Sequence, residues 1–313
     1  MSDTTTPIEH DQLQEITTVL GTGVPVFLVG PAGSGKTLAA EMASRLLDLK
    51  FFCMSVGSQT TMSHLFGYCT ATGEYVSTAF RKAYEGGGLF LLDEYDAGNA
   101  NVSVALNAAL GNGYCSFPDK MVMRHEKFVC MAAGNTYGSG ATPQYIGRNK
   151  LDDASLDRFA FIDWAYDLKM EKLISSMKDW CERVHKIRKA VEEGGIKLIV
   201  STRAITQGEK LLAAGIPQER VERMLIWRGA DPTIVSKIKN ALTQKKSDEK
   251  KQGSDGDKQS EDISNQYRSH RARGKSTFEA IQQIAKDTGL SEVDVAVRVS
   301  AKLSPVTGVQ REA

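Results

Sequence analysis

The sequence offers little that would tie it to an oxidising compartment, a membrane or a polyanion. Its five cysteines, Cys53, Cys69, Cys115, Cys130 and Cys181, are odd in number and form no C-x-x-C pair. That argues against a disulfide framework and for reduced core or surface thiols. No apolar run approaches the length of a membrane span, and the N-terminal stretch is polar and Thr-rich with no apolar leader. The formal charge is +1 with 25% charged residues, so no global basic or acidic excess points to nucleic acid or lipid. Aromatic content of 7% and hydrophobic content of 41% are those of a soluble globular chain. The expected location is the cytoplasm, or free in the nucleoplasm. A length of 313 residues suits one α/β domain with a smaller companion.

What is present centres on Gly30-Pro31-Ala32-Gly33-Ser34-Gly35-Lys36-Thr37, which follows the apolar run Val24 to Val29 and precedes the helix-like Leu38 to Ala43. The spacing G-x-x-x-x-G-K-T between a predicted strand and a predicted helix is that of a phosphate-binding loop. Its glycines let consecutive backbone N–H groups face an oxyanion, and the helix that follows adds the positive end of its dipole. Lys36 is placed to reach the β- and γ-phosphates, and Thr37 supplies a hydroxyl for Mg²⁺.

Upstream, Leu13, Ile16, Val19 and Leu20, with Ile8 before them, mark an amphipathic lead-in helix closed by Gly21-Thr22-Gly23. Lys50 to Val56 is expected as a second buried strand. Between Met62 and Val76, Gly73 separates two aromatic, β-prone arms, which predicts a hairpin. His64 has no second ligand at a fixed spacing and is expected to be an ordinary polar side chain.

Gly88 to Asp96 reads GLFLLDEYD, a buried strand that ends in carboxylates at the edge where open α/β sheets bind ligands. In a protein with a phosphate loop, Asp93 holds Mg²⁺ through its water shell and Glu94 polarises the attacking water. A helix from about Ala100 to Leu110 follows, then a second hairpin with its turn at Pro118-Asp119-Lys120, then a third buried strand over Lys127 to Ala133. Asn135 at that strand's tip can orient the water with Glu94. Arg158 is on a loop before the last short strand at Ala160 to Trp164, and an Arg so placed can act as an arginine finger, best when supplied by a neighbouring subunit, or can form a surface salt bridge.

GPAGSGKT, LFLLDEYD, AAGN and ASLDRF, in that order and at these separations, resemble the AAA+ ATPases. Within them the text is similar to the MoxR-type branch and its relative, the ATPase subunit of cobaltochelatase. The resemblance covers about Ile8 to Leu242. It implies an α/β P-loop NTPase core, a parallel sheet flanked by helices, with a small all-α lid, followed by a C-terminal helical tail. Gly30 to Thr37 become Walker A, Asp93 and Glu94 Walker B, and Asn135 sensor 1. Arg158 matches the trans arginine finger, and Arg203 matches the sensor 2 arginine of the lid. Arg148 is a second candidate for a contact in trans. The two hairpins look like the helix-2 and pre-sensor-1 inserts of that branch. The cofactors implied are ATP and Mg²⁺.

The expected division is a lead-in over 1–23, the core over 24–167, the lid over 168–243, a disordered linker over 244–275 and a two-helix tail over 276–313. The linker assignment rests on Gln244 to Lys275 having hardly an apolar residue. In the tail, Phe278, Ile281, Ile284 and Ala285 mark one helix, Thr288-Gly289 a turn, and Ser291 the N-cap of a second helix carrying Val293, Val297 and Leu303. Ala285, Gly289, Leu290 and Val295 look like a helix-turn-helix. Glu292 and Asp294 in its first turn make a poor surface for phosphates, so a docking tail is favoured over DNA.

The leading expectation is an ATP-driven remodelling motor, a homo-oligomeric, six-membered ring that acts on a separate protein partner. The branch often works with a von Willebrand factor A-type partner, and Asp153-Ala154-Ser155-Leu156-Asp157 only half matches that domain's D-x-S-x-S signature. Such a partner would therefore be another chain. The alternatives are a DNA-associated translocase or replication factor, and a slow nucleotide-dependent assembly switch. A metal-chelatase role is poorly supported, because metal insertion belongs to other subunits in that relative.

Overall fold

The computed structural model describes residues 9–273 and 275–303, and of residues 241, 243–261 and 301–303 the backbone alone. Ile8 of the expected lead-in and residues 304–313 of the expected tail lie outside the described residues. In chain order the elements begin with α1 (Leu13–Gly21), β1 (Val26–Val29), α2 (Lys36–Leu46), β2 (Phe51–Ser55) and α3 (Met62–Phe66). The first hairpin, β3 (Tyr68–Cys69) and β4 (Tyr75–Val76), is followed by α4 (Ala79–Gly86), β5 (Gly88–Asp93) and α5 (Ala100–Gly111). Then come the second hairpin, β6 (Tyr114–Ser116) and β7 (Met121–Met123), and β8 (Phe128–Gly134), α6 (Asp153–Leu156) and β9 (Ala160–Asp163).

The five long strands form one parallel sheet in the order β2-β5-β8-β1-β9. Both of its faces are covered, which is why its central strands read as unbroken apolar runs. Alternate residues divide between two cores. Phe27, Val29, Phe90, Leu92, Cys130 and Ala132 pack with Phe80, Tyr84, Leu106 and Phe117 on one side. Val26, Leu28, Leu89, Leu91, Met131 and Ala133 pack with Leu13, Ile16, Ala39 and Ala43 on the other. The expected burial of the second strand is corrected. β2 lies at an edge of the sheet, and Cys53 and Ser55 within it are exposed. All five cysteines are free.

Both expected hairpins are antiparallel pairs, with Tyr68 opposite Val76 and Cys115 opposite Val122. His64 does what its isolation suggested: its Nδ1 accepts from Thr61 N at 3.1 Å and completes the capping box of α3.

A helical group follows the sheet: α7 (Leu168–Ile174), α8 (Lys178–Glu193), α9 (Thr202–Ala213) and α10 (Gln218–Leu225). Glu171 is its fully buried centre. The carboxylate takes both prongs of Arg188 at 2.7 and 2.8 Å, His185 Nε2 at 2.7 Å and Thr202 Oγ1 at 2.6 Å. Burial pushes the Glu171 pKa up, but these hydrogen bonds and the Arg188 charge outweigh it and hold the group at about 2.

The chain divides into two compact units, residues up to Val235 and residues from Ser236. The structure differs from the expected disordered linker. α11 (Pro232–Ala272) runs through 244–272 as continuous helix. The stretch is rich in Lys, Ser, Asp and Gln and holds Gly253 and Gly256, so neither apolar content nor intrinsic propensity accounts for its helical backbone. The second unit also holds α12 (Thr277–Thr288) and α13 (Glu292–Leu303). Its small core is Ile263, Ile284, Ala285, Val295 and Val299. Gly289 ends α12 in the left-handed conformation, and Ser291 Oγ accepts from Asp294 N, as expected. Phe278 of α12 and Val293 and Val297 of α13, counted as apolar markers, face outward, because the buried stripes run through Ala280 and Ile284 in α12 and through Val295 and Val299 in α13.

Candidate active site

The phosphate loop is shaped from below by the end of β9. A Cβ on Gly30 would lie 1.9 Å from the Trp164 carbonyl oxygen, so only glycine lets the two backbones meet there. Trp164 Nε1 donates to Ser34 O at 2.9 Å, and Tyr166 Oη donates to Ala32 O at 2.9 Å. Tyr145 Oη accepts from Ala32 N at 3.2 Å. Gly35 sits at φ 89°, a left-handed conformation that starts α2 and turns the loop amides to one side. On the other side, the helical group meets the same loop: a Cβ on Gly33 would come within 2.9 Å of Ser201 Cβ and 3.6 Å of Arg203 Cδ.

Lys36 is buried, and its ammonium uses all three N–H groups on the protein. It donates to Gly30 O (2.8 Å), Pro31 O (3.0 Å) and Asn135 Oδ1 (2.9 Å). Burial lowers its pKa to about 8, opposed by the charges of Glu94, Asp93 and Asp96 and reinforced by Arg148. Thr37 Oγ1 donates to Asp93 Oδ2 at 2.8 Å. A hydroxyl and a carboxylate in contact at the mouth of the loop make a hard oxygen donor set of the kind Mg²⁺ takes. The residues present thus fit the implied ion.

Glu94 adopts φ 57° and ψ 34°, a left-handed conformation uncommon for a non-glycine residue. Its backbone N donates to Asp93 Oδ1 at 3.0 Å, and its Oε2 accepts from Asn135 Nδ2 at 3.5 Å. The ends of β1, β5 and β8 therefore bring Lys36, Thr37, Asp93, Glu94 and Asn135 into one cluster. Arg203, on α9, lies against the phosphate loop at Gly33.

Arg158 lies elsewhere. Its guanidinium bonds to the carbonyl oxygens of Asn107 and Ala154. It meets no acid of its own chain among the described residues. Ser155, of the half-matched metal signature, is buried and accepts from Asn107 Nδ2 at 2.9 Å.

Two residues enter this site without having been given these parts by the sequence. Asp96 is fully buried, and its Oδ2 accepts from Asn135 N, Thr136 N and Thr136 Oγ1 at 3.0, 2.9 and 2.9 Å. Arg148, expected as a candidate for a contact in trans, is folded inward. It forms an ion pair with Glu94 and lies 3.2 Å from Asp96 Oδ1. A third acid at the end of LFLLDEYD was visible for Asp96. The pairing with Arg148 was not, because it depends on how the loop after β8 returns.

Beside the loop, a cavity of about 860 Å³ is lined by Pro31, Asn135, Tyr145, Trp164 and Tyr166 of the core and by Arg188 and Val191 of α8. It has an aromatic wall and opens next to the phosphate loop, which suits the rest of a nucleotide.

Residues 25–159 match the family model described as "AAA domain (dynein-related subfamily)". No curated protein matches the chain in a sequence comparison. Among solved structures, the chain is similar to one described as a candidate ATPase from Cytophaga hutchinsonii. The two are 20% identical with a TM-score of 0.41, over 65% of this chain and 74% of that one. No helix among the described residues is long and apolar enough to cross a membrane.

Proposed function

We propose that the protein is an ATPase of the AAA type that works as a ring and remodels a protein partner. One observation carries the hydrolytic part: Lys36, Thr37, Asp93, Glu94 and Asn135 converge at the carboxyl edge of three adjacent parallel strands, under a lid that presents Arg203. The matched AAA domain spans all five of these residues.

In this reading Lys36 leaves its loop carbonyls for the β- and γ-phosphates, while the amides around Gly33 and Gly35 cradle them. Thr37 and Asp93 would hold Mg²⁺, which would supply neutralisation of the phosphate charge. Glu94 orients and deprotonates the attacking water, and Asn135 holds the Glu94 carboxylate in place. Arg203 from the lid and Arg158 from the neighbouring subunit stabilise charge on the transferring phosphoryl. The support for a shared site is that Arg158 is engaged in its own chain by backbone carbonyls alone among the described residues. The finer likeness to MoxR-type and cobaltochelatase subunits motivates a six-membered cytoplasmic ring, with a separate von Willebrand factor A-type partner.

The test is ATP hydrolysis and solution mass, with and without ATP, for wild type, Glu94→Gln and Arg158→Ala. The expectation is assembly and turnover by wild type. Glu94→Gln and Arg158→Ala should each retain ATP binding and lose at least about 100-fold in kcat, the scale of a removed base or charge-stabilising group. Full turnover by Glu94→Gln would remove it from its role. A monomeric wild type indifferent to Arg158→Ala would end the ring reading.

A further inference from the structure

We propose that Arg148 is a positioning residue acting inside its own subunit: anchored on the buried Asp96, it fixes the Glu94 carboxylate at the hydrolytic site. The inference rests on the reading of Glu94 as the group that orients water, and it reverses the sequence expectation that Arg148 reaches a neighbour.

The geometry is specific. Asp96 is fully buried and one of its oxygens, Oδ2, is saturated by three donors from Asn135 and Thr136. The other, Oδ1, is buried with no hydrogen bond, and the nearest cation is Arg148 Nη1 at 3.2 Å. A second nitrogen of the same guanidinium, Nη2, forms an ion pair with Glu94 Oε2. A planar fork thus spans two carboxylates, something an ammonium cannot reproduce with the same geometry. The Arg148 side chain is only 13% exposed, so little of it is left for an outside partner.

The backbone next to Arg148 is stapled to the acid-bearing turn. Asn149 N donates to Asp96 O at 2.8 Å, and Asn149 Nδ2 donates to Ala97 O and Gly98 O at 3.2 and 2.9 Å. Further along, Leu151 N donates to Gly138 O at 2.9 Å. Arg148 is therefore delivered to Glu94 by main-chain contacts of its own loop.

The result is one connected chain: Lys36 to Asn135, Asn135 to Glu94, Glu94 to Arg148, and Arg148 to Asp96. Asp96 closes it by gripping the backbone of Asn135. Without Arg148, the Glu94 carboxylate and the buried Asp96 carboxylate would face each other with no cation between them, and Glu94 would swing away.

Two measurements on the full chain test this. The first is thermal unfolding of the nucleotide-free protein for wild type, Arg148→Ala, Glu94→Gln and the double variant. The expected result is a double-variant shift that departs from the sum of the single shifts by at least about 2 °C, as for residues in direct contact. Additive shifts would show that the pair does not form, and this readout does not depend on hydrolysis. The second is steady-state ATP hydrolysis. Arg148→Ala should lower kcat at least about tenfold with KM for ATP within about threefold, and Arg148→Lys should fall between it and wild type.

Subunits of Arg148→Ala mixed with Glu94→Gln should not regain activity, since no site then holds both groups. Subunits of Arg158→Ala mixed with Glu94→Gln should regain it. Recovery in the Arg148→Ala mixture, or an unchanged kcat, overturns the proposal. If wild type fails to hydrolyse ATP, the ATPase reading falls, and the unfolding cycle still decides whether Arg148 holds Glu94.

Discussion

At the residue scale, Lys36 is the member of the site cluster whose charge the fold brings into question. Its pKa is lowered to about 8, so the free site loses its ammonium charge within an accessible range. Phosphate binding needs the charged form, which predominates below that pKa and is lost above it. The apparent affinity for ATP should therefore fall about tenfold between pH 7 and pH 9, and titration of nucleotide binding across that range checks it. A Lys36→Ala variant should bind more weakly throughout and lack this slope. Much of this cluster was legible in advance. Lys36, Thr37, Asp93, Glu94 and Asn135 are named by fixed offsets from a strand end, and strand ends in a parallel sheet meet along one edge. Arg148 was legible as a cation near the site but not in its partner. Its loop returns onto Asp96 through Asn149, and no periodicity encodes that. The left-handed backbone at Glu94 was also hidden, since that conformation is common only for glycine, asparagine and aspartate.

Among elements, strands and hairpins followed from apolar runs and turn residues, whereas their order in the sheet did not. β2 reads as apolar as its neighbours, yet it is an edge, because crossovers rather than composition decide which strand has a free side. The long α11 shows the converse error, in which sparse apolar residues were taken to exclude a helix. Gly208, inside α9, is a further case where local preference misleads. A Cβ there would lie 2.3 Å from Trp180 Nε1, and the same indole N–H donates to Ala204 O and Ile205 O at 3.1 and 3.2 Å. Replacing an internal helical glycine by alanine gains up to about 1 kcal/mol in propensity. Here α8 and α9 would have to separate, so Gly208→Ala should destabilise the protein by about 1–3 kcal/mol. Denaturant unfolding measures it, and a stabilised variant would refute the close packing.

For the whole molecule, the question is which parts the nucleotide site needs. Residues up to Val235 contain both sheet cores, the phosphate loop and the Glu171–Arg188 centre of the helical group. The unit from Ser236 has a small core of its own. A chain ending after Leu242 should therefore bind ATP with an affinity within about threefold of the full chain, as expected for a site whose supporting shell is intact. Isothermal titration of the two proteins tests this, and a loss beyond tenfold would mean that the second unit supports the site.

Of the three tryptophans, Trp164 alone touches the phosphate loop, through its bond to Ser34 O, with its ring stacked on His10 at 3.6 Å. Trp180 and Trp227 bond within the helical group, to Ala204 O and Ile205 O and to Glu222 Oε2. The protein thus carries one native fluorophore wired to the loop that grips phosphate and two wired to the helices above it. With Trp180 and Trp227 replaced by Phe the remaining emission would report on the loop, and with Trp164 replaced by Phe it would report on the helical group.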